Sequence, residues 1–309
     1  MTIAFPASGQ KLAYAEKAYM IGAVERGVTN IVVSGANVEV YRTGAWGTLV
    51  DVAEGTNTIQ IVNGNEITNH VFHVAAKPRP KPASPSDAAL STNKPPEKIW
   101  KKLDYCADEP KPHPNGKPPA QTLIVLDPGH GGSDTGAVSP HGLYEKNANL
   151  LLANAVKREL EQKGYRVLMT RESDVALALH DRPRLAHAEG ADAFISIHHN
   201  APGIASDPIA ARHCAVYSWN EIGERLSVAI ASRIEAAFDG EIPSKGSLHA
   251  NFAVTRNPEI PSCLVEADFI TSPAGEENIF SIEGRLHFAS AIAQGIDDWC
   301  NMKDEKSAE

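Results

Sequence analysis

Four residues of this 309-residue chain have side chains that bind or activate, and they fall where short apolar runs stop or helices start. His130 lies between Gly129 and Gly131 just after "LIVLD", His198 closes "AFISIH", Glu266 interrupts "CLVEADF", and Glu145 opens "EKNANLLLANAVKRELEQKG". Glycines beside His130 let the backbone turn sharply and approach whatever the ring touches. Two chemistries use such a loop: backbone amides that cradle a phosphate, or an imidazole aimed at a metal. Two imidazoles and one carboxylate make a three-ligand catalytic zinc site with the fourth position left for water, and Glu266 then remains free as a base. The other two ligands would stand 15 and 68 residues beyond His130. That is unlike H-E-x-x-H, where one helix carries both histidines, so the fold must gather them. Taken singly, each residue also has an ordinary role: a turn histidine, a first-turn acid favoured by the helix dipole, or a glutamate paired with an arginine.

The elements that must do the gathering alternate after Gln121. "LIVLD" reads as a buried strand. In the next helix Ala148, Leu151, Leu152, Ala155, Val156 and Leu160 share one face, with Gly164 as its stop. "YRVLMT" is a strand, Asp181 caps a short helix ending near Gly190, and "AFISIH" is the third strand. "CAVYSW", an amphipathic stretch over 221–238, "CLVEADF" and a last helix around Ala289, Ile292, Ala293, Ile296 and Trp299 complete the order. This alternation predicts an α/β domain, a helix-covered and largely parallel sheet, over 121–300. In such sheets sites gather beyond the carboxyl ends of strands, where His130, His198 and Glu266 fall.

Residues 1–76 carry only strand patterns, with Val38 and Val40, then Ile59 and Ile61, on one face, and predict a small all-β sandwich. The stretch "VTNIVVSGANVEVYRTGAWGTLVDVAEGTNTI" resembles the immunoglobulin-like modules that precede catalytic domains in some bacterial envelope enzymes. Tyr41 and Trp46 in it could stack on sugars or pack in the core. Residues 77–120 form a Pro/Lys-rich linker with nine basic against five acidic residues between Lys77 and Lys117, a solvated spacer or a contact for an anionic polymer. A polar tail occupies 301–309.

Bulk properties exclude other classes. A net charge of -9 argues against nucleic-acid binding. No apolar run of the roughly 20 residues needed to span a membrane occurs. The first residues lack the basic and then apolar regions of a secretory leader, which fits a cytoplasmic protein or a mature form. The four cysteines form no C-x-x-C pair, so a thiolate zinc site is not expected. Cys263 reads as a buried thiol, and Cys106 with Cys300 could staple the catalytic domain in an oxidising compartment.

"DPGHGGSDTGA", "LYEKNANL", "GYRVLMTR", "RPRLAHAEGADAFISIHHNA" and "IPSCLVEADFI" occur in this order over about residues 121–299. The region resembles the amidase 3 family of zinc-dependent N-acetylmuramoyl-L-alanine amidases. The resemblance implies that His130, Glu145 and His198 hold one zinc ion and that Glu266 is the catalytic carboxylate. It further implies peptidoglycan as substrate, cut between the lactyl group of N-acetylmuramic acid and L-alanine, and a periplasmic or extracellular location. Asp127 would orient the His130 ring or serve the turn. The chain departs from the family pattern in three places. Asp268 stands where a glycine is usual, His199 follows His198 in place of a small residue, and Lys245 precedes Gly246 where an arginine is usual. His198 holds the motif position, so His199 is expected to pack or line the cleft. Some relatives carry a helical insertion that blocks the zinc; "NAPGIASDPIAARHCAVYSW" is short, and activity without an activator protein is expected. Two alternatives are a non-catalytic wall-binding protein and a zinc carboxypeptidase or deacetylase acting on another wall amide. Glu266 beside all three ligands argues against the non-catalytic one.

Overall fold

The computed structural model describes residues 1–78 and 117–302. Nearly all of the linker, Cys106 and most of the tail lie outside the described residues, and so does the proposed Cys106–Cys300 bridge.

The amino-terminal unit is two sheets packed face to face. One has the order β1 (Thr2–Phe5), β3 (Lys17–Ala23), β6 (Ala45–Asp51). The other runs β2 (Lys11–Leu12), β8 (Glu66–Val74), β7 (Gly55–Asn63), β4 (Asn30–Val33), β5 (Ala36–Glu39). Period-two alternation sends Val38, Val40, Ile59 and Ile61 inward, where they meet Met20, Trp46 and Phe72 in one core. Trp46 is fully buried, which settles its role as packing and removes it as a sugar platform.

The carboxy-terminal unit is a six-stranded sheet in the order β10 (Arg166–Met169), β9 (Leu123–Pro128), β11 (Ala193–Asn200), β14 (Ser262–Phe269), β12 (Cys214–Ser218), β13 (Ser244–His249). The first four strands are parallel, and β12 with β13 runs the opposite way. All six residues of β9 are buried. Such continuous apolar runs suit strands covered on both faces.

Helices α1 (Glu145–Gln162), α3 (Glu221–Phe238) and α5 (Ile282–Asn301) bury Leu152, Val156, Ile230, Ile292, Ile296 and Trp299 against the sheet. Each such aliphatic side chain contributes about 1.5–3 kcal/mol. Helix α1 stops at Gly164, whose φ of 90° is the left-handed exit that a bulkier residue resists. Asn220 caps α3 by accepting the Gly223 N–H. Helices α3 and α5 cross at Gly295, where an added methyl would stand 2.5 Å from Ile230 Cα. Two shorter helices are α2 (Asp181–Ala188), which precedes β11, and α4 (Pro273–Phe280), which follows the carboxyl end of β14. No helix among the described residues is long and apolar enough to cross a membrane.

Candidate active site

The loop after β9 is shaped by its neighbours' needs. Gly129 lies against the His198 ring so closely that a methyl on it would stand 2.1 Å from Nε2 and Cε1, so only a bare Cα fits. His130 itself has φ 61°, a left-handed conformation that costs a non-glycine residue about 1–2 kcal/mol. Two buried arginines hold it there. Arg182 donates to the carbonyls of Pro128 (2.9 Å) and His130 (2.8 Å), and Arg171 donates to those of Pro128 and Gly129 (both 2.9 Å). The amides of Gly129, Gly131 and Gly132 are spent on Ile197 O, Asp134 O and Asp174 Oδ1. The glycine loop thus presents no row of free amides, and the phosphate-cradle reading fails.

Asp127 does not reach the His130 ring. It is fully buried and accepts from Thr170 Oγ1 (2.6 Å), Ser196 Oγ (2.7 Å) and Arg182 Nη1 (2.8 Å), so it fixes the arginine that grips the His130 carbonyl. The ring is instead oriented by Asp134, whose Oδ2 accepts the Nδ1–H at 2.9 Å. That bond selects the tautomer with a lone pair on Nε2.

Glu145, at the first turn of α1, is 4% exposed. Its Oε2 accepts the Ala137 N–H at 2.9 Å. Its Oε1 stands 3.2 Å from His130 Nε2 and 3.0 Å from His198 Nδ1. Ligands bound tetrahedrally at about 2.0–2.1 Å are separated from one another by about 3.3 Å, so this spacing fits one zinc ion. All three donors lie within 4.8 Å of one another. Burial opposes charge on both Glu145 and His130, and their mutual attraction wins. The two imidazoles hold the Glu145 carboxyl well below its ordinary range. Glu145 and Asp134 raise His130 to about 9. A cation at this point would take over the role of those imidazole protons.

His199 points to the opposite face, as strand alternation requires. It is 3% exposed, its Nδ1–H donates to Asn149 Oδ1 at 2.7 Å, and burial lowers its pKa to about 4, with His198 adding to the effect. It stays neutral and packs.

Glu266 is the register partner of His198 across the β11–β14 pair, one strand spacing of about 4.8 Å away. Its side chain is half-buried, yet Oε2 is sealed from solvent and has no hydrogen-bond partner among the described residues. Burial first, and then the charge of Glu145, push this carboxyl well above its ordinary value. An unpartnered, proton-hungry carboxylate beside a three-donor cluster has the character of a general base. Asp268 lies apart from the cluster, fully buried and held by Arg212 through two bonds of 2.9 and 2.7 Å. Lys245 sits exposed on the edge strand β13, followed by Gly246 with φ 66°.

Sequence reasoning missed Asp134, Arg171, Arg182 and Asn149. Asp134 was within reach, four residues after His130 in "HGGSD". Arg171 and Arg182 stand within "GYRVLMTR" and "RPRLAHAEG", but nothing local points to their targets, which are carbonyls more than 40 residues away.

Residues 124–298 match the amidase 3 family, N-acetylmuramoyl-L-alanine amidase. The N-acetylmuramoyl-L-alanine amidase AmiC of Neisseria meningitidis serogroup B is 35% identical over 231 residues, which cover 60% of this chain and 54% of that protein. Escherichia coli AmiA is 29% identical over 227 residues, covering 60% and 78%. The chain thus spans about half the length of the Neisseria relative. Among solved structures, the amidase AmiC2 of Nostoc punctiforme superposes with a TM-score of 0.55 at 34% identity, covering 59% of this chain and 98% of that one. An N-acetylmuramoyl-L-alanine amidase from Clostridium difficile 630 gives 0.55 at 30% identity, with the same coverage. Strand order, helix cover and the match over more than half its length agree: this chain belongs to the amidase 3 family of N-acetylmuramoyl-L-alanine amidases.

Proposed function

We propose that this chain hydrolyses the amide between the lactyl group of N-acetylmuramic acid and L-alanine in peptidoglycan, using zinc held by His130, Glu145 and His198 and the carboxylate of Glu266. The observation that carries this reading is the convergence of three donors beside a carboxylate whose Oε2 is sealed from solvent and has no partner among the described residues. Amides are poor electrophiles with poor leaving groups. Zinc in such a ligand set supplies Lewis acidity, which acidifies water and polarises a carbonyl.

The protein's own groups do the rest. Asp134 keeps His130 in the tautomer that can bind, and Glu145 brings one negative charge to the site while its second oxygen is fixed by Ala137. Glu266 takes a proton from the attacking water and returns it to the departing alanine nitrogen, so no base from solvent is needed. Its raised proton affinity suits that double duty.

We further infer an envelope location, a division into a β-module, linker and catalytic domain near residues 76 and 120, and action without an activator. Residues 201–213, which follow the β11 ligand strand, contain turns and no helix, which supports the reading without an activator. Digestion of purified peptidoglycan with the zinc-loaded protein, read by mass spectrometry, should release stem peptides with free alanine amino termini. Cuts confined to the glycan or within the peptides would overturn the assignment. Glu266→Gln should abolish release while keeping bound zinc.

A further inference from the structure

The segment from Ala201 to His213 is tied to the site at both ends and to the β-module in its middle. It leaves β11 two residues after His198, where Asn200 O accepts the Ile270 N–H at 2.9 Å. At its far end Arg212 grips Asp268, two residues beyond Glu266, and the His213 ring lies 4.7 Å from that of Phe269. Chain and site then meet again where Ala215 pairs with Glu266.

Between these anchors the loop rests on the module. Ile204 packs against the module's core, and its carbonyl accepts the Tyr19 N–H at 2.9 Å. That edge of β3 is open because β1 pairs only as far as Ile21. Gly47 of β6 faces Pro208 and Ile209 so closely that a methyl there would meet them at 3.2 and 3.3 Å. Beside this contact Arg42 of the module ion-pairs with Glu277 of α4. The adjacent Glu276 holds His141 by its backbone N–H (3.0 Å) and Nδ1 (2.7 Å), in the loop that leads to Glu145.

A loop of this length without helix or strand is ordinarily mobile, and ordering it on substrate would cost conformational entropy. Here the β-module packs against it. We propose that the β-module is a built-in positioning partner of the catalytic domain: it holds residues 201–213 as a fixed wall of the substrate cleft. The Arg212–Asp268 pair is the strut joining that wall to the strand of Glu266. Preorganisation of this kind favours substrate binding more than the chemical step.

The kinetic half of the test rests on the amidase reading, and the structural half does not. In the full chain, Gly47→Trp from the module side and Ile209→Asp from the loop side should each speed hydrogen exchange of the 201–213 amides about tenfold or more. Both should raise KM for peptidoglycan about threefold or more with kcat within about twofold. Zinc content should stay at one per chain. Arg212→Ala should act in the same direction and Arg212→Lys, which keeps charge but lacks the fork, should recover part of the loss. A tryptophan at 47 can also press on Ile21 within the module, so Arg42→Glu, at an exposed side chain, opens the same interface independently. Wild-type protection of the loop in all three interface variants, or a loosened loop with unchanged KM, would overturn the proposal. An inactive wild-type chain would remove the amidase reading and leave exchange to decide the docking.

Discussion

Gly129→Ala is the sharpest probe of the donor cluster because it replaces one hydrogen with a methyl at a site where the backbone itself permits alanine: the φ of Gly129 is not positive. The nearest obstacle is the His198 ring, 2.1 Å from the new carbon. Non-bonded carbon contacts need about 3.5 Å, so the ring must retreat by about 1.4 Å. Metal–ligand bonds keep within about 0.2 Å of their ideal lengths, so a displaced His198 no longer binds well. Even changes in groups that only support a ligand cost about 10–100-fold in affinity, about 1.4–2.8 kcal/mol, and moving a ligand should cost at least that much. Competition against a chromophoric zinc chelator measures the loss, and thermal unfolding of the metal-free proteins separates it from global damage. Wild-type zinc affinity in Gly129→Ala would refute the packing argument and, with it, the role of His198.

Other substitutions test the supporting groups. Asp134→Ala removes the carboxylate that sets the His130 tautomer; its side chain is 67% exposed, so zinc affinity should fall about 10–100-fold while urea stability changes little. An unchanged affinity would show that the tautomer is set otherwise. Arg182→Ala strips the charged partner from fully buried Asp127 and removes a donor from the carbonyls of Pro128 and His130, which should cost about 3–5 kcal/mol in urea denaturation. A loss near zero would mean that the arginine cage is dispensable. The adjacent histidines should separate cleanly: His198→Ala should lose zinc, while His199→Ala should bind one equivalent yet unfold more easily, as metal analysis beside thermal melts will show. The reverse pattern would exchange their roles.

The central strands and long helices were legible because their signals are local. "LIVLD", "AFISIH" and "CLVEADF" are apolar runs too short for helices, and the face of α1 repeats at helical spacing. Elements whose reasons lie elsewhere in the chain were not legible. Strand β13, "SKGSLH", is a polar edge strand with little to bury, and only its pairing with β12 makes it a strand. Helix α4 begins at Pro273 with one weak turn of apolar residues, and its acidic pair Glu276 and Glu277 finds partners more than 130 residues away. At the site, residue types and strand ends pointed to His130, Glu145, His198 and Glu266. The tautomer-setting role passed from Asp127 to Asp134 because the buried Asp127 carboxylate is taken up by Thr170, Ser196 and Arg182. Asp268 stands out in the sequence only as a residue where a glycine is usual. Its carboxylate turns to Arg212, which no spacing rule connects to it.

An anomalous difference map collected at the zinc edge from crystals of the zinc-loaded protein would test the central claim most directly. A single strong peak within about 2.2 Å of His130 Nε2, Glu145 Oε1 and His198 Nδ1 is the predicted result. A peak on other residues, or none at this cluster in protein shown to carry zinc, would contradict the account.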